Sequence, residues 1–209
     1  KDESGTELVH MLDAISTNTT SFFRESDHFV FFRDALAKWR DAGQRKFRVW
    51  CAAASTGEEP YTLAMTMMET LDPRSVDFKI LATDISTRVL EQCLRGVYSR
   101  DKLQTVPGHL RERYFQRSGD EFAVSDALRK TVLFRRLNLS TPPFPMRGPM
   151  DFVFCRNVMI YFDNEVRTRL VNDIYRLLKP GAYLIVGHSE SLTGIVARMR
   201  VVKPSIYVK

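Results

Sequence analysis

The sequence predicts an α/β fold with an open sheet, and three apolar runs carry this prediction. Each run ends in small or polar residues and is followed by a segment with helical periodicity. The runs are residues 47–53, 78–83 and 150–155. In open α/β sheets, ligands bind at the carboxyl ends of the strands. Glu59, Asp84 and Asn157 would lie at three such ends, which predicts a binding crevice, although each side chain alone could instead cap a helix.

Two helices are predicted before the first strand. Apolar residues recur with helical spacing in residues 6–16, and again in a helix that begins at Ser26 or Asp27 and runs to about residue 41. Ser26 or Asp27 would cap this second helix, and Gly43 would end it. We therefore assign residues 1–42 to a helical N-terminal segment and residues 43–209 to the main domain.

Residues 49–61 contain the most informative ligand signal. The strand ends in small residues, Gly57 permits a tight turn, and Pro60 suits the first turn of a helix at about 60–71. The carboxylates of Glu58 and Glu59 argue against a phosphate ligand, which prefers bare N–H groups at a helix N-terminus. A zwitterionic, sulfonium-bearing nucleoside tolerates them. The alternative is an ordinary strand-to-helix turn, because glycine motifs are weak signals without context.

The second strand, at about 78–83, ends at Asp84. Asp84 follows the first strand and its turn at the sequence distance expected for the acidic residue that holds ribose hydroxyls in a βαβ unit. A helix at 86–95 follows and ends at Gly96.

Residues 97–136 differ from the rest of the chain in their predicted secondary-structure pattern. They lack regular alternation of helix and strand and contain turn signals at 107–108 and 118–120. Strands at 113–116, 121–124 and 131–136 predict a small antiparallel sheet inserted into the main domain, or simply an extension of its edge. Residues 111–136 carry an excess of three positive charges. The basic residues are Arg111, Arg113, Arg117, Arg129, Lys130, Arg135 and Arg136, and the acidic ones are Glu112, Asp120, Glu121 and Asp126.

The C-terminal part returns to the α/β pattern. A proline-rich loop at 141–149 precedes a strand at 150–155, and a helix at 164–178 ends at Lys179-Pro180-Gly181. A strand at 182–187 and a terminal hairpin at 197–203 and 205–208 complete the predicted sheet.

Composition excludes several classes of protein. With 27% charged and 44% hydrophobic residues, the 209-residue chain has an ordinary globular composition, without a membrane-spanning run or a signal-peptide pattern. Three scattered cysteines and four histidines predict neither a disulfide framework nor a metal site, which fits a reducing, cytoplasmic setting. The net charge of +6 does not predict nucleic-acid binding, because basic and acidic residues are interspersed. It favours an acidic protein partner or an anionic membrane surface.

Five segments occur in order along the chain: residues 18–25, 53–61, 82–85, 154–162 and 187–191. Together they resemble the motif series of the CheR chemoreceptor methyltransferases. The resemblance implies a Rossmann-like methyltransferase domain with a small antiparallel β insertion at about 97–136, and it makes residues 1–42 the remnant of a helical domain and linker. It implies S-adenosylmethionine as methyl donor, S-adenosylhomocysteine as product and receptor glutamates as acceptors.

The resemblance also implies a donor site. The matching residues are Asn18, Thr20, Arg24, Glu59, Asp84, Asn138, Leu139, Arg156 and Asn157. Asp84 matches the ribose-binding aspartate, and Asn138 and Leu139 match the segment that flanks the adenine. His188 lies in a matched motif, and we expect it to be a structural histidine.

Arg24 and Tyr161 are the candidate catalytic residues. An arginine fork can hold a carboxylate, so Arg24 would orient the acceptor glutamate or bind the donor's own carboxylate, unless it is a solvated surface side chain. Tyr161 would donate to the acceptor oxygen or line the path of the methyl group, or it is a core tyrosine. No general base is needed, because the acceptor carboxylate is ionised at neutral pH.

The expected partner is the acidic, helical cytoplasmic region of membrane chemoreceptors, with the chain acting as a monomer and without nucleic acid or membrane insertion. Nucleic-acid N-methylation is disfavoured, because Arg156-Asn157-Val158-Met159 stands where such enzymes carry an Asn/Asp-Pro-Pro-aromatic motif. Two alternatives stay open. One is a non-catalytic module that binds a nucleoside or a receptor, and the other is a methyltransferase for a different protein carboxylate.

Overall fold

The computed structural model describes residues 20–192, 194–195 and 198–209. The predicted helix at 6–16 and the candidate residue Asn18 lie outside these ranges. Ten strands occur in the described residues: β1 Lys46–Cys51, β2 Asp77–Asp84, β3 Val97–Ser99, β4 Phe115–Ser118, β5 Glu121–Val124, β6 Val132–Arg136, β7 Met150–Phe154, β8 Leu178–Ile185, β9 Arg200–Lys203 and β10 Ile206–Val208. The α-helices of the same ranges are α1 Ser26–Asp41, α2 Glu58–Thr70, α3 Thr87–Arg95, α4 Gly108–Tyr114, α5 Asp126–Arg129 and α6 Asn164–Leu177.

Seven strands form one sheet in the order β6-β2-β1-β7-β8-β10-β9. The five strands from β6 to β8 are parallel, and β10 and β9 add an antiparallel hairpin at one edge. The chain builds outward from β1 through β2 to β6, and then resumes on the other side of β1 with β7. The strand order therefore reverses between β1 and β7, which is where doubly wound sheets open a crevice for ligands.

The central strands are buried on both faces, which explains their unbroken apolar sequences. Val49 and Cys51 of β1 belong to the core that contains α1 and α2, whereas Trp50 and Ala52 belong to the core that contains α6. Aromatic contacts secure the first core; the ring centroids of Phe32 and Phe152, for example, lie 4.7 Å apart. None of the helices in the described part of the chain has the length and apolar character needed to cross a lipid bilayer.

The inserted antiparallel sheet exists, but its strands differ from the prediction. It has the order β3-β5-β4, so Val97–Ser99 supplies the third strand. The expected strand at 113–116 is displaced to Phe115–Ser118, because α4 continues to Tyr114.

The prediction that residues 131–136 form part of the inserted sheet is wrong. Val132–Arg136 is β6 of the main sheet and pairs in parallel with β2, from Ile80 opposite Val132 to Asp84 opposite Arg136. Parallel strands require a long crossover connection. Here α3, α4, α5 and the small sheet together form that crossover, so the insertion lies inside a βαβ unit.

Two predicted helix boundaries also differ from the structure. Ser26 and Asp27 do not cap α1; the capping position is Glu25, which has φ 57° and makes no side-chain capping bond. At the other boundary, α6 ends at Leu177 and β8 begins at once, so that Pro180 and Gly181 lie within a strand. The pairing of β8 with β7 shifts register between Met150 and Phe152, and this irregularity accommodates the proline.

Candidate active site

The loops that follow four parallel strands meet at the carboxyl edge of the main sheet. Backbone hydrogen bonds continue the sheet pairing past the strand ends: Ala52 N donates to Phe154 O at 2.8 Å, Ala54 N to Thr83 O at 2.8 Å, and Cys155 N to Ile185 O at 2.9 Å. These bonds hold the loops after β1, β2, β7 and β8 close together. The segment 20–25, which leads into α1, joins them through side-chain contacts.

Arg156, in the loop after β7, lies at the centre of this edge, and its side chain is 1% exposed. Nη1 donates to Glu59 Oε2 at 2.6 Å, and Nη2 donates to Glu25 Oε2 at 3.0 Å. Nη2 also donates to the backbone carbonyl of Arg24 at 2.6 Å. Such partners are needed because a buried unpaired charge is very costly. Arg156 thereby ties the loop after β7 to the first turn of α2 and to the segment before α1.

The two carboxylates that hold Arg156 titrate differently. Burial raises the pKa of Glu59, and the attraction of Arg156 does not offset this effect. Burial also acts to raise the pKa of Glu25, but the charge and hydrogen bonds of Arg156 outweigh it, so that the pKa of Glu25 is lowered. Cys51 Sγ donates to Glu59 Oε1 at 3.2 Å. Glu25 is therefore the more firmly ionised partner of Arg156.

Asp84 is fixed at the turn that follows β1. Its Oδ2 accepts a hydrogen bond from Ser55 N at 2.9 Å, and its Oδ1 accepts one from Ser86 N at 3.1 Å. Ser55 has φ 47°, and its carbonyl accepts a hydrogen bond from Cys93 Sγ at 3.2 Å. Asp84 is half-buried as a residue, and the turn fixes the orientation of its acidic group.

Tyr98 connects the small sheet to the same turn. It lies on β3, and its hydroxyl donates to the Thr56 carbonyl at 2.9 Å. A Cβ atom on Gly57 would lie 2.4 Å from this hydroxyl, and Gly57 has φ 101°. The glycine is therefore required both by its left-handed backbone and by the close approach of Tyr98.

Glu58, the first residue of α2, has a structural role. It is fully buried, and its Oε1 accepts a hydrogen bond from Lys102 Nζ at 2.9 Å while its Oε2 accepts one from Thr56 Oγ1 at 2.6 Å. Lys102 also reaches the Thr20 carbonyl at 3.4 Å. The ion pair thus anchors the segment before α1 to the insertion.

Glu190 organises the loops after β7 and β8. It is 4% exposed. Its Oε1 accepts hydrogen bonds from Val158 N at 2.9 Å and Met159 N at 2.7 Å. Its Oε2 accepts them from Asn157 N at 2.8 Å and Gly187 N at 2.7 Å. One carboxylate therefore satisfies four backbone N–H groups and fixes the peptide that follows Arg156.

We expect Glu190→Gln to lower the free energy of unfolding by about 2 kcal/mol, because the amide NH₂ would face N–H donors and leave them unsatisfied. Urea denaturation measures this loss. The matched control is Glu165→Gln, on the exposed first turn of α6, which should change stability by less than about 0.5 kcal/mol. Equal stabilities for Glu190→Gln and the parent would contradict the role assigned to Glu190.

Four residues at this edge have a left-handed backbone although they are not glycine. They are Phe23, Glu25, Ser55 and Asn157, with φ between 47° and 57°. Such conformations cost about 1–3 kcal/mol each and concentrate at functional sites, where surrounding contacts enforce them. At Glu25 and Asn157 these contacts include the hydrogen bonds to Arg156 and Glu190.

A group of titratable side chains adjoins Glu25. His28 and His188 lie with their rings 4.7 Å apart, and one ligand atom from each of Glu25, His28 and His188 lies within 4.8 Å of the others. These are the residues of the edge that could hold a metal ion.

The remaining predicted site residues lie farther out. Asn138 is exposed, and its Oδ1 accepts hydrogen bonds from Ser140 N and Oγ at 3.0 and 2.8 Å. Leu139 is buried in the core that contains α6. The segment runs beside Asp84, because Leu137 N donates to the Asp84 carbonyl at 2.9 Å. Thr20 and Arg24 are half-buried.

Tyr161 is not a core residue. It lies in the short 3-10 helix Met159–Tyr161 and is 54% exposed, as is its neighbour Ile160. The alternative of a buried tyrosine is therefore excluded, and a role at the surface of the edge stays a prediction.

Glu25, Ser55 and Glu190 were not among the site residues predicted from the sequence. All three lie inside the recognised motifs, but their partners lie far away in the chain. Arg156 is 131 residues from Glu25, and Asn157 is 33 residues from Glu190. Helical or strand periodicity contains no signal for such pairs.

The edge also has buried polar atoms without a hydrogen-bond partner among the described residues. Ser55 Oγ and Arg156 Nε are buried and lack a hydrogen-bond partner within the described residues. Buried polar atoms are nearly always paired, so such orphans need an explanation. Together with the acidic side chain of half-buried Asp84, they fit a nucleoside that carries both hydroxyl and charged groups. The fold and this edge define the class of Rossmann-like α/β proteins that bind a nucleoside at the carboxyl ends of parallel strands.

Comparison with known proteins specifies the family. Residues 18–208 match the family model described as "CheR methyltransferase, SAM binding domain". The chain is 40% identical to a chemotaxis protein methyltransferase of Borreliella burgdorferi, covering 100% of this chain and 76% of the relative. It is 40% identical to chemotaxis protein methyltransferase 2 of Pseudomonas aeruginosa, covering 94% and 71%, and 38% identical to the Escherichia coli chemotaxis protein methyltransferase, covering 94% and 68%. The chain belongs to the CheR methyltransferase family.

The predicted family, the fold class, the enzyme class and S-adenosylmethionine as the ligand are thereby confirmed. The individual site residues stay predictions.

Proposed function

We propose that this chain transfers a methyl group from S-adenosylmethionine to glutamate side chains in the acidic, helical cytoplasmic region of chemoreceptors, and that it acts as a cytoplasmic monomer. The products are glutamyl methyl esters and S-adenosylhomocysteine. Family membership and the names of the relatives support the activity and the receptor substrate. The structural observation that carries the proposal is that the Arg156 cluster (Arg156 with Glu25 and Glu59) and Asp84 both lie at the carboxyl edge of the sheet.

The donor side of the site uses the strand ends. Asp84 binds the ribose hydroxyls, and Asn138 and Leu139 flank the adenine from the loop after β6. Arg156, held by Glu25 and Glu59, presents Nε and the adjoining Asn157 to the polar end of the donor. Asn18, Thr20 and Arg24 close the site from the N-terminal side.

The acceptor side needs alignment rather than proton removal. S-adenosylmethionine supplies an electrophilic methyl group on a sulfonium, and the glutamate carboxylate is already ionised at neutral pH. Arg24 orients this carboxylate, and the exposed hydroxyl of Tyr161 contacts the incoming glutamate. Positioning the acceptor and excluding water then account for the rate.

Methyl transfer is tested with a tritiated donor and receptor-containing membranes. We expect label on the receptor that is released by mild base, the mark of a carboxyl ester. Base-stable label would contradict ester formation. Label on other proteins but not on receptors would favour a different protein carboxylate as substrate, and donor binding without any transfer would favour a non-catalytic module.

We expect Asp84→Ala to weaken S-adenosylhomocysteine binding by about 2–3 kcal/mol, the scale of charge-assisted hydrogen bonds. Calorimetry measures the affinity. Asp77→Ala is the matched control, because Asp77 lies at the opposite end of the same strand and its side chain is 58% exposed. Unchanged affinity in a folded Asp84→Ala variant would remove Asp84 from the site.

We further propose that the small sheet docks the receptor, because its exposed basic residues complement an acidic partner. Fewer of the charges of residues 111–136 belong to this sheet than their number in the sequence suggests. Arg135 and Arg136 lie on β6 of the main sheet, and Arg129 donates to the Val124 and Leu94 carbonyls. Arg113 forms an ion pair with Glu69 at 3.0 Å. Arg111 and Arg117 are exposed on α4 and β4 and are the better probes.

We expect the double variant Arg111→Glu/Arg117→Glu to raise the receptor KM by about 3- to 10-fold at low salt and to flatten its salt dependence, because opposite charges speed encounter. Kinetics across ionic strength measure both effects. The control is Arg33→Glu/Arg74→Glu, an equal charge change at exposed positions outside the insertion. Identical salt slopes for the docking variant and the parent would exclude the small sheet as the docking surface.

A further inference from the structure

Two of the four histidines in the chain meet next to Glu25, although 160 residues separate them. His28 lies on α1, and His188 lies in the loop after β8. Their rings are edge to face with centroids 4.7 Å apart. Glu25 completes a group in which each residue places one ligand atom within 4.8 Å of the other two. The arrangement brings two imidazoles and a carboxylate to one point.

The burial of the His28 imidazole is not explained by hydrogen bonds in the core. Its side chain is 0% exposed, and neither ring nitrogen has a hydrogen-bond partner within the described residues. Nδ1 lies 3.4 Å from Glu25 Oε2. A buried imidazole whose two nitrogens both lack partners needs an explanation.

His188 is oriented in the manner of a metal ligand. Its Nε2 lies 3.2 Å from both carboxylate oxygens of Asp27, and its backbone N–H donates to Glu25 Oε2 at 3.2 Å. Metal-binding histidines usually have such a carboxylate partner. Because the side chain of His188 is 50% exposed, it can shift toward a bound metal ion, and water can occupy a further coordination position.

Carboxylates predominate next to this group. Glu25 and Glu59 bind the guanidinium of Arg156, and the carboxylate of Asp27 lies against His188. Oε1 of Glu25 accepts only a long hydrogen bond, 3.3 Å from Asn157 Nδ2, among the contacts of the described residues. One oxygen of Glu25 is therefore available to a metal ion while the other keeps its contact with Arg156.

We propose that Glu25, His28 and His188 form a binding site for a divalent transition-metal ion of the Zn²⁺, Co²⁺ or Ni²⁺ class. Two imidazoles and one carboxylate suit these ions and leave at least one position open. The proposal does not depend on the methyl-transfer function, because metal binding is measured directly.

The test is a titration of the chelator-treated protein with Co²⁺, in which the visible absorption of bound Co²⁺ reports binding. Addition of Zn²⁺ should then displace the Co²⁺ and remove this absorption. We expect one equivalent to bind, and His188→Ala to weaken binding at least about tenfold. His28→Gln should weaken Co²⁺ binding as well, and circular dichroism verifies that this buried variant is folded. If His28→Gln does not fold, His188→Ala, at a half-exposed position, still decides the test.

The control variants are His109→Ala, at an exposed position of α4, and His10→Ala. Both should bind Co²⁺ as the parent does. Absence of saturable binding at millimolar Co²⁺, or parental affinity in His188→Ala, would overturn the proposal. So would loss of binding in either control variant.

Discussion

Replacing Arg24 with alanine is expected to lower the rate of receptor methylation at least about 100-fold, the scale on which lost alignment of an acceptor slows a reaction. Donor affinity should fall much less. The reason lies in the backbone: Arg156 binds the carbonyl of Arg24, not its side chain. Alanine keeps that carbonyl, so the Arg156 cluster stays intact while the guanidinium is lost. Initial rates on receptor membranes and calorimetry with S-adenosylhomocysteine measure the two quantities separately.

Arg33→Ala provides the control for Arg24→Ala. Arg33 lies on α1, is 57% exposed and pairs only with the adjacent Asp34 among the contacts of the described residues. It should leave both quantities unchanged. A parallel loss of rate and donor affinity in Arg24→Ala would assign the side chain to the donor carboxylate instead. Parental turnover would exclude both roles.

Arg156→Met is expected to lower the free energy of unfolding by about 3–5 kcal/mol. Methionine retains much of the volume, but it leaves Glu25 and Glu59 near the buried edge without their cation, and removing one partner of a buried ion pair costs this much. It also leaves the Arg24 carbonyl without its donor. Urea denaturation measures the loss, and donor affinity should fall with it.

Two comparisons separate electrostatics from packing in Arg156→Met. Glu25→Gln and Glu59→Gln, added to this variant, should restore part of the stability because they remove the uncompensated charges. Arg48→Met, which removes an arginine paired with exposed Asp77 at the far end of the sheet, should cost less than about 1 kcal/mol. If the combined variant were no more stable than Arg156→Met alone, lost packing would explain the effect.

The strands of the main sheet were predictable because both faces are covered, so each strand reads as an apolar run bounded by polar residues. The loop after β1 was predictable because Gly57 and Pro60 have local roles. The inserted sheet was harder, since its strands have three or four residues. Val132–Arg136 is an edge strand in which Phe134 is buried and Leu133 is 46% exposed, and such a short sequence does not show which sheet the strand joins.

The position of a candidate residue was predictable only where it stands at one strand end. Asp84 lies at the end of β2, as the apolar run before it indicated, whereas Arg156 was expected only from the family resemblance. Glu25 was not predicted because in the sequence it only adjoins the predicted capping residues of α1. In the structure its carboxylate binds Arg156, and its φ is 57°. Glu190 was hidden for a similar reason, because its four donors come from two loops that only the folded sheet brings together.

Tyr98 gives the small sheet a thermodynamic connection to the donor turn. Its hydroxyl holds the Thr56 carbonyl and closes over Gly57, while its backbone pairs with Phe122 on β5. A partner that displaces β3 on binding has to change the free energy of the turn in which Ser55 and Asp84 meet. Linkage then requires reciprocity: by whatever factor the partner alters donor affinity, the donor alters partner affinity. In a two-substrate enzyme, such mutual dependence would make the affinity for each substrate depend on the other through one tyrosine.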